Sequence, residues 1–348
     1  MNSTELSLEF QSAVAWAHHI CGSTLAIFNA FVCLLILLDT DPRGKSYRKY
    51  LFPLQFFSTL ADLFMDWYSP YFQLNALLIY SNSSMATFLD IPAAFMIYLS
   101  LFGYVCSSYF CCVFYRQRAI LPHGSLFCYN DWKFVAVIAI QQANLLIALG
   151  FLYYYVTRFA SSSPPNILSW VQYKAAYVFF TDMRLSYVAA IYSSLSALAI
   201  IIIIIGMVVL LTVEIKHGMA KASAATKRYQ SRAVSSLIMQ GTIPSLFYVV
   251  PVPCEVTLGV YGIVVGAEAG ARISMLSVIA VNVLSLHAFA HSLTILAFSP
   301  SYRKSIQTFV GSMFSTIRQV VSGKSSSAQI VVVYGAKRSI TFVNKNSK

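Results

Sequence analysis

Asp62 and Asp66, and likewise His287 and His291, form two pairs of titratable residues with the same spacing of four. That spacing puts each pair on one face of a helix. All four residues lie in long apolar stretches, and a carboxylate in hydrocarbon costs at least about 2.5 kcal/mol even on the most lenient insertion scale. Asp62 and Asp66 must therefore face a bundle interior or water. If the two stretches run antiparallel, Asp62 and His287 reach nearly the same depth, which allows a hydrogen bond between them. The four residues can then form a polar latch that rearranges between two states or holds an ion. A purely structural Asp62, protonated or bonded to serines, fits the sequence equally well.

Histidines four apart can also bind zinc or, with further histidine boxes, a di-iron centre. The other histidines, His18, His19, His123 and His217, make no matching box, so no metal is expected. The seven cysteines include no Cys-x-x-Cys pair and read as small buried hydrophobes. The sequence has no Gly-x-Ser-x-Gly, no phosphate-cradling glycine loop and no paired catalytic acids outside span two. It reads as a non-enzyme without a cofactor.

The elements that position these residues follow from composition. The 348 residues are 58% hydrophobic and 10% charged, against about 25% charged in a soluble domain. Lipid is the solvent this composition fits. Crossing about 30 Å of hydrocarbon at 1.5 Å per residue needs about twenty apolar residues. Seven segments meet that need, at about 13–38, 51–79, 91–115, 134–157, 187–213, 233–253 and 271–298. A β-barrel would alternate polar and apolar residues, whereas 200–205 is apolar on every side. The expected fold is an all-α membrane protein, a seven-transmembrane helix bundle.

Charge sets the orientation. Most of the 24 Lys and Arg residues fall after spans one, three, five and seven, among them Arg43, Lys45, Arg48, Lys49 and Lys221. By the positive-inside rule those connectors are cytoplasmic, which places the N-terminus outside and the C-terminus in the cytoplasm. The net charge of +12 thus marks topology and not nucleic-acid binding. The sequons at Asn2 and Asn82 fall outside on this topology and are expected glycosylation sites. The organisation is an extracellular N-terminus at 1–12, the bundle at 13–298 and a cytoplasmic tail at 299–348. The segment 164–180, which begins with Pro164-Pro165 and contains Lys174, is read as an extracellular loop packing on the bundle. In the tail, Ile306, Phe309, Val310, Met313, Phe314 and Ile317 repeat at helical spacing and suggest a short amphipathic helix on the inner leaflet.

Motifs at matched depths carry a family resemblance. Span two reads Leu54-Gln55-Phe56-Phe57-Ser58-Thr59-Leu60-Ala61-Asp62-Leu63, followed by Ser69-Pro70-Tyr71-Phe72; span three ends in Phe114-Tyr115-Arg116-Gln117-Arg118-Ala119-Ile120. Span six follows Lys227-Arg228 and holds Gln240 and Ile243-Pro244, and span seven carries His291-Ser292 before Ser299-Pro300-Ser301-Tyr302-Arg303-Lys304. Together these resemble the nematode serpentine chemoreceptors, class i first and the related class h as the near alternative. The chain departs from the rhodopsin-like pattern in lacking Asp-Arg-Tyr, Asn-Pro-x-x-Tyr and a cysteine in the loop after span four. Rhodopsin-type residue roles are therefore not carried over.

The resemblance implies a G-protein-coupled chemosensory receptor in the plasma membrane, in the cilia of sensory neurons. Its implied partners are a small-molecule ligand, a heterotrimeric G protein and the lipid bilayer. The outer halves of spans two, three, six and seven offer Trp67, Tyr68, Tyr71, Met96, Tyr98, Phe247, Tyr248 and Met275 as ligand-lining residues, an aromatic and uncharged set suited to an odorant-like molecule. Arg116, Arg118, Lys227, Arg228 and Arg232 line the cytoplasmic mouth, where a G-protein helix end would dock. Pro244 is the expected hinge of span six. The rival reading is a transporter or ion channel with Asp62 and Asp66 on a proton or cation path, weakened by the absence of paired repeats and of broken helices.

Overall fold

A computed structural model of the chain describes residues 6–39, 45–73, 78–120, 131–161, 166–180 and 267–321, with isolated positions from 195 to 261. Helix α1, Leu8–Leu38, contains one π-helical turn at His18–Gly22. Three further helices follow: α2 at Lys45–Tyr68, α3 at Ile91–Ile120 and α4 at Asp131–Phe159. The seventh apolar segment forms two helices, α5 at Ala267–Leu284 and α6 at His287–Phe298. The tail helix α7, Pro300–Val321, begins on a proline, whose missing N–H is no loss in a first turn. Among the described residues, Leu8–Leu38, Ile91–Tyr115 and Arg272–Phe298 are each long and apolar enough to cross a membrane. Spans five and six, expected at 187–213 and 233–253, lie outside the described residues except for scattered helical positions.

The sequence reading of span two needs correction: its helix ends at Tyr68, well short of residue 79. Ser69 takes a left-handed backbone conformation, φ 45°, and Pro70 cannot continue a helix. The chain instead turns into strand β1, Pro70–Gln73, which pairs antiparallel with β2, Leu78–Ser81. Strand β4, Ala176–Phe180, adds to β2, and the short β3, Ala160–Ser161, adds to β4, giving the order β1-β2-β4-β3. The segment read as a packing loop at 164–180 therefore supplies a strand and the 3₁₀ helix Asn166–Tyr173. Its packing is specific. Tyr71, Leu78, Tyr80 and Val171 of the sheet region enclose Leu6 and Val278, which joins the sheet to the N-terminal residues and to α5.

Packing in the bundle is inverted relative to a soluble protein. Ile27, Leu34 and Leu37 on α1 and Leu276, Ile279 and Leu293 on α5 and α6 face outward, while Gln55, Ser58, Ser277, His287, His291 and Ser292 are fully buried. Lipid accepts the apolar face, and polar groups can be satisfied only against other helices. At the end of the bundle opposite the sheet, Val32, Ile36, Leu51, Leu54, Val105, Tyr109 and Ile295 form an apolar cluster that also takes in Tyr302. Tyr302 thereby anchors α7 to the bundle.

Candidate functional site

The interruption between α5 and α6 originates in side chains that take over backbone carbonyls. Asn282 Nδ2 donates to Val278 O at 2.7 Å and Ser285 Oγ to Asn282 O at 2.9 Å. A continuous helix would give Asn282 O to the Leu286 N–H, which goes instead to Val283 O at 3.2 Å. Such local bonding bends and breaks helices without proline or glycine. The break leaves α6 with a new N-terminus in the middle of the bundle, and its cap residue, Leu286, supplies no side-chain hydrogen bond. First-turn N–H groups then need acceptors from elsewhere.

Asp62 supplies one from α2. The Ala288 N–H donates to Asp62 Oδ2 at 2.7 Å, so a carboxylate on one helix caps the exposed end of another. A helix N-terminus carries about half a positive charge, which suits a buried carboxylate. His287 Nδ1 lies 3.9 Å from Asp62 Oδ1, beyond hydrogen-bond reach. The Asp62 to His287 hydrogen bond that the spacing allowed is thus replaced by a bond to the next residue's backbone.

One turn further along α6, a directional chain of hydrogen bonds ties three helices together. His291 Nδ1 lies 2.7 Å from Gln55 Oε1, Gln55 Nε2 donates to Ser292 Oγ at 2.8 Å, and Ser292 Oγ donates to Asn29 Oδ1 at 2.7 Å. α6, α2 and α1 are thereby joined. The His287 and His291 rings stack with centroids 6.4 Å apart, and α1 makes a second contact nearer the sheet, where His18 Nδ1 lies 2.9 Å from Asp66 Oδ1. His18 opens the π-helical turn that ends at Gly22, where an added Cβ would run into the Asp66 carboxylate. Glycine is required there because α1 and α2 approach so closely.

The four residues foreseen as a latch are thus all buried, and they divide among three contacts. Asp62 meets Ala288 and His287, Asp66 meets His18, and His291 meets Gln55. Among the described residues no group of three or more His, Cys, Asp or Glu side chains could hold a metal ion. Sequence reasoning took Gln55 and Ser292 only as motif residues and did not single out Asn29 or His18 as partners. The available signal was polar residues recurring on one face of an apolar helix, as at Gln55, Ser58 and Asp62.

The other expected residues scatter. Trp67 is 48% exposed on the outside of α2 and does not line the interior. Tyr68 is buried, with its hydroxyl donating to Leu89 O at 3.1 Å. Tyr71 belongs to β1 and not to span two; its hydroxyl donates to Gln11 O at 2.9 Å, and Met275 packs into the same cluster. Met96 and Tyr98 are half-buried on α3, with Tyr98 in electrostatic range of Asp62, and Phe247 is half-buried. Arg118 and Arg228 are exposed. Asn82 Nδ2, the glycan-accepting atom of its sequon, donates to Gln11 Oε1 at 2.9 Å. The side chain of Arg116, together with Tyr248, Lys227, Arg232, Pro244 and Asn2, lies outside the described residues.

An apolar bundle with an inward polar seam and a helical tail has the build of a seven-transmembrane receptor. The family model described as "Serpentine type 7TM GPCR chemoreceptor Srh" matches residues 9–312, and the chain belongs to that nematode chemoreceptor family. Of the two classes the motifs resemble, the match falls on class h. Membership makes the chain a multi-pass membrane protein of a receptor family. No curated protein matches it.

Proposed function

We propose that this chain is a chemosensory receptor that binds a small molecule in the sheet-covered half of the bundle and activates a heterotrimeric G protein at the opposite face. The observation that carries this reading is the Asp62 cap on the broken seventh span. A span interrupted at mid-depth, against the expectation of unbroken helices, and held by an acid from another helix is a joint able to take two discrete arrangements, the kind of element through which two sites are coupled. Tyr71 and Met275 pack against Val278 of α5, so a ligand on that side would act on the helix that leads into the joint. Tyr68, Met96, Tyr98, Phe247 and Tyr248 complete the proposed ligand-facing set. Arg116, Arg118, Lys227, Arg228 and Arg232 form the proposed G-protein face, with Pro244 as the hinge of span six.

This reading sets the N-terminus and the sheet outside, the basic connectors and α7 in the cytoplasm, and the receptor in the plasma membrane of sensory cilia. Asn2 and Asn82 are the proposed glycosylation sites. The test is expression in a G-protein reporter line screened with volatile and water-soluble cues. A cue that drives nucleotide exchange only in receptor-bearing cells supports the reading. An ion current that persists without any G protein would replace it with the channel or transporter reading built on Asp62 and Asp66.

A further inference from the structure

The Lys174 ammonium sits in a corner walled by two aromatic rings. Its Nζ lies 5.2 Å from the Tyr80 ring centroid and 5.3 Å from that of Trp170, and it donates to Gln11 Oε1 at 3.3 Å. The rings meet edge to face at 88°, which makes two perpendicular walls. Tyr71 stacks behind Tyr80 with centroids 5.1 Å apart and is held by its bond to Gln11 O. The amide is set just as firmly: Gln11 Nε2 donates to Leu6 O at 2.7 Å, which turns Oε1 toward Lys174 and Asn82. Tyr80 is 0% exposed and Gln11 4%, whereas Trp170 and Lys174 are half-buried, so the corner is buried at its base and partly exposed at its mouth.

Two ring faces and an amide oxygen around one cation make an ammonium-binding site in chemical terms. The lysine that fills it is held by a flexible stem with four rotatable carbons. We propose that this corner is a ligand site for small alkylammonium compounds, that Lys174 occupies it in the resting receptor, and that an external amine displaces Lys174. The proposal rests on the chemoreceptor reading and adds the ligand class. Displacement has a route to the joint, because Tyr80 and Trp170 share their packing with Tyr71, Met275 and Val278 of α5.

The probe is butylammonium, which reproduces the Lys174 side chain, with uncharged butanol as control. Binding is measured by calorimetry on the purified full-length receptor without G protein, so a failure to couple does not affect the result. Lys174→Gln removes a tethered competitor whose effective concentration is in the millimolar range, so it is expected to bind butylammonium at least about tenfold more tightly than the wild type. Lys174→Arg, which keeps a cation in the corner, is expected to stay at the wild-type level. Adding Trp170→Leu to Lys174→Gln is expected to abolish the gain in a receptor that still shows a cooperative melting transition. Equal affinity in wild type and Lys174→Gln overturns the proposal, as does butanol binding to Lys174→Gln as well as butylammonium does.

Discussion

At the scale of single residues, the seam works because Gln55, Asp62, Asp66 and Ser292 each bond a specific partner on another helix. Gln55 uses both ends of its amide, accepting from His291 and donating to Ser292. Gln55→Leu would keep the volume and leave both partners without that bond, at about 1–3 kcal/mol for each orphaned group. A clear fall in the melting temperature of the detergent-solubilised receptor is the expected outcome; an unchanged melting temperature would mean that the chain of bonds contributes nothing. Gly22→Ala tests the approach of α1 to α2, since its methyl would displace the Asp66 carboxylate and with it the His18 contact. Overpacking of this kind costs about 1–3 kcal/mol, and reduced thermal stability is predicted. The residues that form the seam could be picked out in the sequence by type and depth. Their pairings could not, because a spacing of four fixes a face but leaves open which neighbour fills it: Asp66 takes His18 from α1, not a histidine of the seventh span.

At the scale of elements, long apolar periodicity makes α1, α3 and α4 legible to within several residues at their ends. Two features escape it. Strands β1 and β2 are four residues each, and short apolar runs beside a helix read as its continuation. The break at Ser285 and Leu286 has no proline or glycine to mark it and arises from side-chain bonds to Val278 O and Asn282 O. The first of these rests on a backbone requirement that can be tested. Ser69 holds φ 45° where α2 becomes β1, a conformation that costs an ordinary L-residue about 1–2 kcal/mol. Ser69→Val is predicted to lower the melting temperature and Ser69→Gly to leave it level or raise it, since a β-branched residue tolerates the left-handed region least. Equal stability of the two variants would mean that the turn does not depend on that backbone conformation.

At the scale of the whole molecule, the fold separates two environments. Apolar side chains face lipid, polar ones face each other, and the sheet closes one end while Lys45, Arg48 and Arg118 stand on helix ends at the other. On the proposed topology a membrane-impermeant amine reagent applied to intact cells should leave Lys45 and Lys49 unlabelled until the membrane is opened. Labelling of either from outside would reverse the orientation and remove the proposed G-protein face. The seven-span architecture was legible because membrane thickness fixes helix length and charge marks the connectors. The seam's role is a property of contacts, and only the structure brings Asp62 to the N-terminus of α6.

The most direct test of that role is nucleotide exchange by the G protein in cells bearing wild-type receptor or Asp62→Asn, each at matched surface level. Asparagine keeps an oxygen for the Ala288 N–H and removes the ionisable group from the helix end. The account predicts equal surface expression and a loss of ligand-driven or constitutive exchange of about tenfold, the change expected from about 1.4 kcal/mol in the balance between two states. Exchange at the wild-type level in Asp62→Asn would contradict it.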